Sequence, residues 1–200
     1  MKPALNLMIF FAALILSQGC KKLELQKSFE FDENDHPPVA APFNMSIYEF
    51  MTSRSEFSMM TAAVQRAAME PVFSGGEDNK TVLLLRNEAM QEFLSKEGYA
   101  TLDDVPVEIL QKLLKYHVIT TRFTQRDLRV QFFYQFQTLL EGDAGLINIW
   151  KFREYWIIRI NSGGENLPPT AKSADVYLHN YEFKNGVAHH MTKYVKRAPF

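Results

Sequence analysis

The chain has 200 residues, 46% hydrophobic and 22% charged, which is enough apolar material for one domain of ordinary size to bury a core unaided. An aromatic fraction of 13%, with 16 Phe, excludes wholesale disorder, and a formal net charge of −1 excludes the broad basic field of a nucleic-acid binder. The single cysteine excludes an intramolecular disulfide framework and a multi-thiolate zinc site.

Met1-Lys2 gives a positive start, and Ala4 to Leu16 is an uncharged apolar run interrupted only by Asn6. Such a run suits a secretory signal and is too short for an ordinary membrane-spanning helix. Ser17-Gln18-Gly19 then precede Cys20, so residues 1–19 resemble a bacterial lipoprotein signal peptide with Cys20 as the acylated residue. That motif places an aliphatic residue three before the cysteine, whereas Leu16 here stands four before it. The resemblance implies a membrane anchor through the N-terminal lipid, made stable by two or three acyl chains, since one chain binds only marginally. Lys21, rather than Asp, after the cysteine implies export to the bacterial outer membrane. Residues 20–43 are highly charged and include His36-Pro37-Pro38, an extended stretch that cannot form a core; they read as a tether. Leu23, Leu25, Phe29 and Phe31 alternate within it, as in a short docking strand.

From residue 44 the periodicity is helical. Ile47, Phe50 and Met51 share a face, with Ser46 and Glu49 spaced as a capping box. Phe57, Met60, Val64 and Ala67 continue the spacing toward Pro71, and residues 74–79 are a loop by composition. Thr81 to Leu85 is a short buried strand. Asn87 offers a side-chain oxygen to cap a helix carrying Ala89, Met90, Phe93 and Leu94, closed by Gly98. Pro106 sits in the first turn of the next helix, whose stripe is Ile109, Leu110, Leu113, Leu114 and His117. Strands follow over Val130–Leu139, then as a hairpin over Leu146–Phe152 and Tyr155–Asn161 about Arg153-Glu154. A second hairpin joins Val176–Phe183 to Val187–Val195 through Lys184-Asn185-Gly186, and Asn-Gly is a strong turn signal. Helices first and strands later make an α+β fold.

Three stretches, in order, resemble the fasciclin domain family. Thr81 to Met90 (TVLLLRNEAM) is similar to its strand-to-helix motif, with Leu83, Leu85 and Arg86 in place of the usual Phe, Pro and Thr. Leu113 to Ile119 (LLKYHVI) resembles its Tyr-His signature. Asn185 to His189 (NGVAH) resembles the start of its closing strand, although Thr192 follows Met191 where the family has Asp. The resemblance covers roughly residues 44–196 and places a fasciclin-like domain in residues 44–200. It implies two packed β-sheets forming a wedge with a helical layer, and Asn87, Tyr116, His117, Asn185, Gly186 and His189 as the family-motif residues, structural or binding.

His117 admits two roles: an adhesion determinant, by the resemblance, or a histidine held by hydrogen bonds in a packed interior. His189 and His190 are adjacent on a strand and point to opposite faces, so they are not expected to share a metal ion. There is no Gly-x-Ser-x-Gly elbow, and the two Ser-Gly-Gly stretches, Ser74-Gly75-Gly76 and Ser162-Gly163-Gly164, lack the context of a phosphate cradle. No catalytic residue, metal site or cofactor is expected. Phe132-Phe133-Tyr134-Gln135-Phe136 either fills a core with alternate residues or stacks on sugar rings, and Trp150 and Trp156 carry the same two readings. Arg122, Arg126 and Arg129 read as a solvated rim. The expected protein is a lipid-anchored, non-enzymatic adhesion or binding module for an envelope or extracellular protein or polysaccharide. The alternatives are a scaffold or accessory subunit of an envelope glycan-uptake complex and, less favoured, a hydrolase.

Overall fold

The computed structural model describes residues 43–76, 79–152, 157–163 and 167–200. Cys20, the rest of the leader and tether through residue 42, the Arg153-Glu154 turn and Trp156 lie outside the described residues. Helices α1 (Ile47–Thr52), α2 (Ser58–Arg66) and α3 (Glu70–Ser74) come first. Strand β1 (Thr81–Leu85) leads into α4 (Asn87–Glu97) and then α5 (Val107–Tyr116). The remaining strands are β2 (Val118–Ile119), β3 (Phe133–Gln137), β4 (Leu146–Lys151), β5 (Ile158–Ile160), β6 (Ala174–Asp175), β7 (Leu178–Phe183) and β8 (Gly186–Met191). Among the described residues no helix is long and apolar enough to cross a membrane.

The strands form two four-stranded sheets, β2-β1-β8-β7 and β3-β4-β5-β6, so the fold is α+β. The second sheet is antiparallel throughout, while in the first β1 runs parallel to β8. Parallel strands tend to be covered on both faces, and here all five residues of β1 are buried. His190 on β8 packs against Phe57 of the helical side at 4.9 Å between ring centroids, whereas His189 stacks on Phe123 at 5.4 Å. Phe123 in turn stacks on Phe136 of β3 at 5.2 Å, which joins the two sheets. Ile147, Ile149, Ile158 and Ile160 line the inner face of the second sheet with no exposed surface, each contributing about 1.5–3 kcal/mol through burial.

Local chemistry explains the element boundaries. Ser46 and Glu49 form the capping box at α1: the Ser46 amide donates to Glu49 Oε2 at 2.6 Å and the Glu49 amide to Ser46 Oγ at 3.2 Å. The helical spacing through Pro71 is not one helix. It ends at Arg66, Ala68 turns left-handed at φ 52°, and Pro71 opens α3 instead of closing α2, because its missing N–H is harmless only in a first turn. The strand expected over Val130–Leu139 begins only at Phe133, since Gln131 is also left-handed (φ 56°) with its amide donating to the Lys151 carbonyl at 2.9 Å. The strand after Val187 ends at Met191, yet Tyr194 and Val195 beyond it are buried. Phe43, which composition groups with the tether, pairs with β7: its amide donates to the Glu182 carbonyl at 2.8 Å and its ring stacks on Phe183 at 5.1 Å.

Candidate functional site

The motif residues are distributed over separate junctions rather than gathered in one cleft. His117 is the residue that ends α5, and it has no exposed surface. Its Nδ1 lies 2.8 Å from the Leu113 carbonyl and its Nε2 3.2 Å from the Val195 amide. A proton on Nδ1 donates to that carbonyl, leaving Nε2 to accept from the amide, so one neutral tautomer satisfies both contacts. Burial drives the imidazole down to about 4, opposed by the bond to Leu113. Tyr116 is equally buried; its hydroxyl accepts from Asn161 Nδ2 at 2.8 Å and donates to the Leu146 carbonyl at 3.3 Å. Burial also raises the phenol well above its ordinary value.

Asn87 departs from the expected role. Its helix starts without a side-chain cap; Asn87 Oδ1 accepts instead from the Met59 amide at 3.0 Å, in the first turn of α2. Its Nδ2 donates to the Ser55 carbonyl at 2.9 Å. The side chain therefore caps the neighbouring helix, because α2 leaves an orphan N–H there. Asn185 is a buried hub in the hairpin turn: Oδ1 accepts from the Ile47 amide at 3.0 Å, and Nδ2 donates to the Phe73 carbonyl at 2.8 Å. Gly186 follows at φ +151°, where an added Cβ would lie 2.8 Å from the Lys80 carbonyl oxygen.

His189 has no exposed surface, and its Nδ1 accepts from the Asn180 amide at 3.2 Å. Burial, with His179 adding to it, drives His189 down to about 3. His190 sits among Phe50, Phe57 and Tyr181, the last stacked on it at 4.1 Å. Among the described residues no group of three or more His, Cys, Asp or Glu side chains is placed to hold a metal ion. The Ser74-Gly75-Gly76 loop directs carbonyls rather than amides inward: Gly75 O accepts from Lys80 Nζ at 2.6 Å, the reverse of an anion cradle. Arg122 pairs with Glu182 at 2.6 Å, while Arg126 and Arg129 are exposed.

Aromatic side chains open to solvent lie elsewhere: Tyr177 beside β7, and a group on the outer face of the second sheet. Tyr134 and Phe136 turn inward and stack in series with Phe123. Phe133 turns outward and is 43% exposed, next to Phe132 at 51%. The aromatic run therefore divides between core on one face and solvent on the other, a division set by the strand's phase. Trp150 lies opposite Phe133 in register, with ring centroids 3.7 Å apart, and Phe152 adjoins Trp150 at 5.9 Å.

A family profile for the fasciclin domain matches residues 55–195. No curated protein matches the chain. Among solved structures, the chain is similar to a fasciclin domain pair from the insect cell adhesion molecule Fasciclin I, with a TM-score of 0.59 and 15% identity. That match covers 78% of this chain and 52% of the other, so the chain spans about half the length of that structure. The likeness to it is one of fold.

Proposed function

Since the chain belongs to the fasciclin domain family, we propose that it is a non-catalytic binding module of the adhesion type, held at the bacterial envelope by lipid on Cys20. One observation carries the non-catalytic part. The polar groups of the family motifs, Tyr116, His117 and Asn185, are buried and engaged in hydrogen bonds that join helices to sheets. A catalytic group must reach its substrate, and these reach only their own fold. Binding therefore falls to the exterior, and the exposed aromatic face favours a polysaccharide over a protein among the expected ligands. The same face supports the second reading, an accessory subunit that holds glycan for an envelope uptake complex.

The test uses the full-length lipidated protein from its native membrane, immobilised and challenged with envelope polysaccharide and envelope protein fractions. Saturable retention of one fraction, recovered chemically unchanged, is the expected result. Retention of neither, or conversion of the retained material, overturns the reading. Cys20→Ala should leave the membrane fraction; its continued presence there, still labelled by radioactive palmitate, would overturn the anchor.

A further inference from the structure

The outer face of the second sheet carries one row of side chains that crosses all four strands. The register sets Phe133 on β3 opposite Trp150 on β4, Trp150 opposite Arg159 on β5, and Arg159 opposite Asp175 on β6. Three interstrand steps give the row a length of about 14 Å. Its first half is aromatic, with Phe133 against Trp150 at 44° between ring planes and Phe152 edge-on beside Trp150. Its second half is an ion pair held in two places: Arg159 Nε to Asp175 Oδ1 at 2.5 Å and Nη2 to Oδ2 at 2.9 Å. Both charged side chains remain about 40% exposed, at 39% and 41%. The Arg159 guanidinium also covers the Phe152 ring at 4.7 Å, so the two halves are continuous. Beyond Asp175 the face dips into a polar depression lined by Arg159, Ser173, Asp175, Thr192 and Lys193.

The row is also braced from beside it, on the same outer face. Asn148 Oδ1 accepts from Gln135 Nε2 at 3.0 Å, and Asn148 Nδ2 donates to the Gly163 carbonyl at 3.3 Å. A Cβ at residue 163 would lie 2.6 Å from the Phe133 ring, so glycine there lets the loop close on the ring edge and fix it. A platform fixed in advance loses little side-chain entropy when it is covered.

The chemistry of the row selects its occupant. A flat ring open to water takes the C–H face of a pyranose, as it takes any apolar face of that size. Sugar hydroxyls both donate and accept, and the adjoining couple offers guanidinium N–H donors and carboxylate acceptors side by side. The two formal charges cancel, so the row complements a neutral chain; a polyanion would meet Asp175 and a polycation Arg159. A protein partner needs a broader buried core than two rings provide.

We propose that this row binds a neutral polysaccharide through its pyranose rings, with Phe133 and Trp150 as the stacking platform and the Arg159–Asp175 pair as the hydroxyl reader. This rests on the binding-module reading above and names its ligand class and its surface. The test is affinity electrophoresis of the full chain through gels holding hydroxyethyl cellulose, xyloglucan or galactomannan, with alginate as the acidic arm. Retardation by at least one neutral polymer is expected, reduced at least tenfold in affinity by Phe133→Ala and by Arg159→Ala. Trp150→Phe, which keeps a flat ring, should retain binding, while Trp150→Ala should lose it with circular dichroism unchanged. No retardation by any neutral polymer, retardation by alginate alone, or equal retardation of wild type, Phe133→Ala and Arg159→Ala overturns the proposal. In those cases the binding-module reading survives if an envelope fraction is still retained by the immobilised protein, and falls with the proposal if none is.

Discussion

The side-chain amide of Asn161 donates to the hydroxyl of Tyr116 at 2.8 Å, across 45 residues of chain and from the second sheet to the end of α5. The same Asn161 amide nitrogen lies 3.1 Å from the Lys196 carbonyl, and its Oδ1 accepts from the Asn148 amide at 3.3 Å. Asn161 is left-handed (φ 51°), a conformation asparagine tolerates better than most residues. One side chain thus ties the helical layer, the second sheet and the C-terminal segment, and Tyr116 is its partner on the helix.

Tyr116→Phe removes that hydroxyl while keeping the ring packed. Asn161 keeps its bond to Lys196, but the Leu146 carbonyl loses its donor in a partly buried setting. A loss of about 1–2 kcal/mol is expected, read as a lower urea midpoint at constant m-value. An unchanged midpoint would show that water or repacking replaces the bond.

Asn87→Ala should be destabilising by about 1 kcal/mol, the ordinary effect of losing a helix N-cap, although Asn87 caps a helix other than its own. The comparison with Asn87→Asp is diagnostic. Aspartate keeps an acceptor for the Met59 amide but cannot donate to Ser55, so it should recover part of the loss. If instead both variants equal wild type in thermal midpoint, the capping of α2 carries no stability.

Asn87 also marks where sequence reasoning stops. Periodicity located α1, α4 and α5, and the Asn-Gly signal located the β7–β8 hairpin, because those features are decided within a few residues. What Asn87 bonds to is decided by where α2 lies, and spacing along the chain carries no such information. The same holds for Gln131 and Ala68, whose left-handed turns shorten a strand and split a helix without a glycine to announce them. Phe133 belongs here too: alternation assigned one face of β3 to the core, but only the cross-strand register with Trp150, Arg159 and Asp175 assembles the outer row.

Gly186→Ala and Gly98→Ala separate two reasons for glycine. Gly98 ends α4 at φ +83° with open space around it, so alanine there meets only the left-handed strain, about 1–2 kcal/mol. Gly186 has a positive φ and also the Lys80 carbonyl oxygen 2.8 Å from a new Cβ, on the segment entering the parallel neighbour β1. Its substitution must push β8 from β1, where Val187 N donates to that same oxygen at 3.0 Å. The Gly186 variant should lose clearly more stability than the Gly98 variant in parallel urea titrations; equal losses would mean that the close approach relaxes freely.

The buried histidines make stability depend on pH in a definite direction. Burial holds His117 and His190 down to about 4 and His189 to about 3, against an ordinary value near 6.5. Between those values and 6.5 the unfolded chain binds more protons than the folded one, so stability rises with pH across that window. The contribution is complete above 6.5 and disappears as the pH falls toward 4. For a single such histidine the loss from pH 7 to pH 5 is about 2 kcal/mol. His190 offers the sharpest check, because neither ring nitrogen has a hydrogen-bond partner among the described residues and its neighbours Phe50, Phe57 and Tyr181 are aromatic. Arg86 acts after burial to disfavour its protonated form, with Glu56 opposing. His190→Phe should therefore fold, equal or exceed wild type at pH 7, and exceed it by about 2 kcal/mol at pH 5. Unfolding free energies from urea titrations at the two pH values measure this, and an unaltered pH slope in the variant would mean that His190 titrates alike in the folded and unfolded chains.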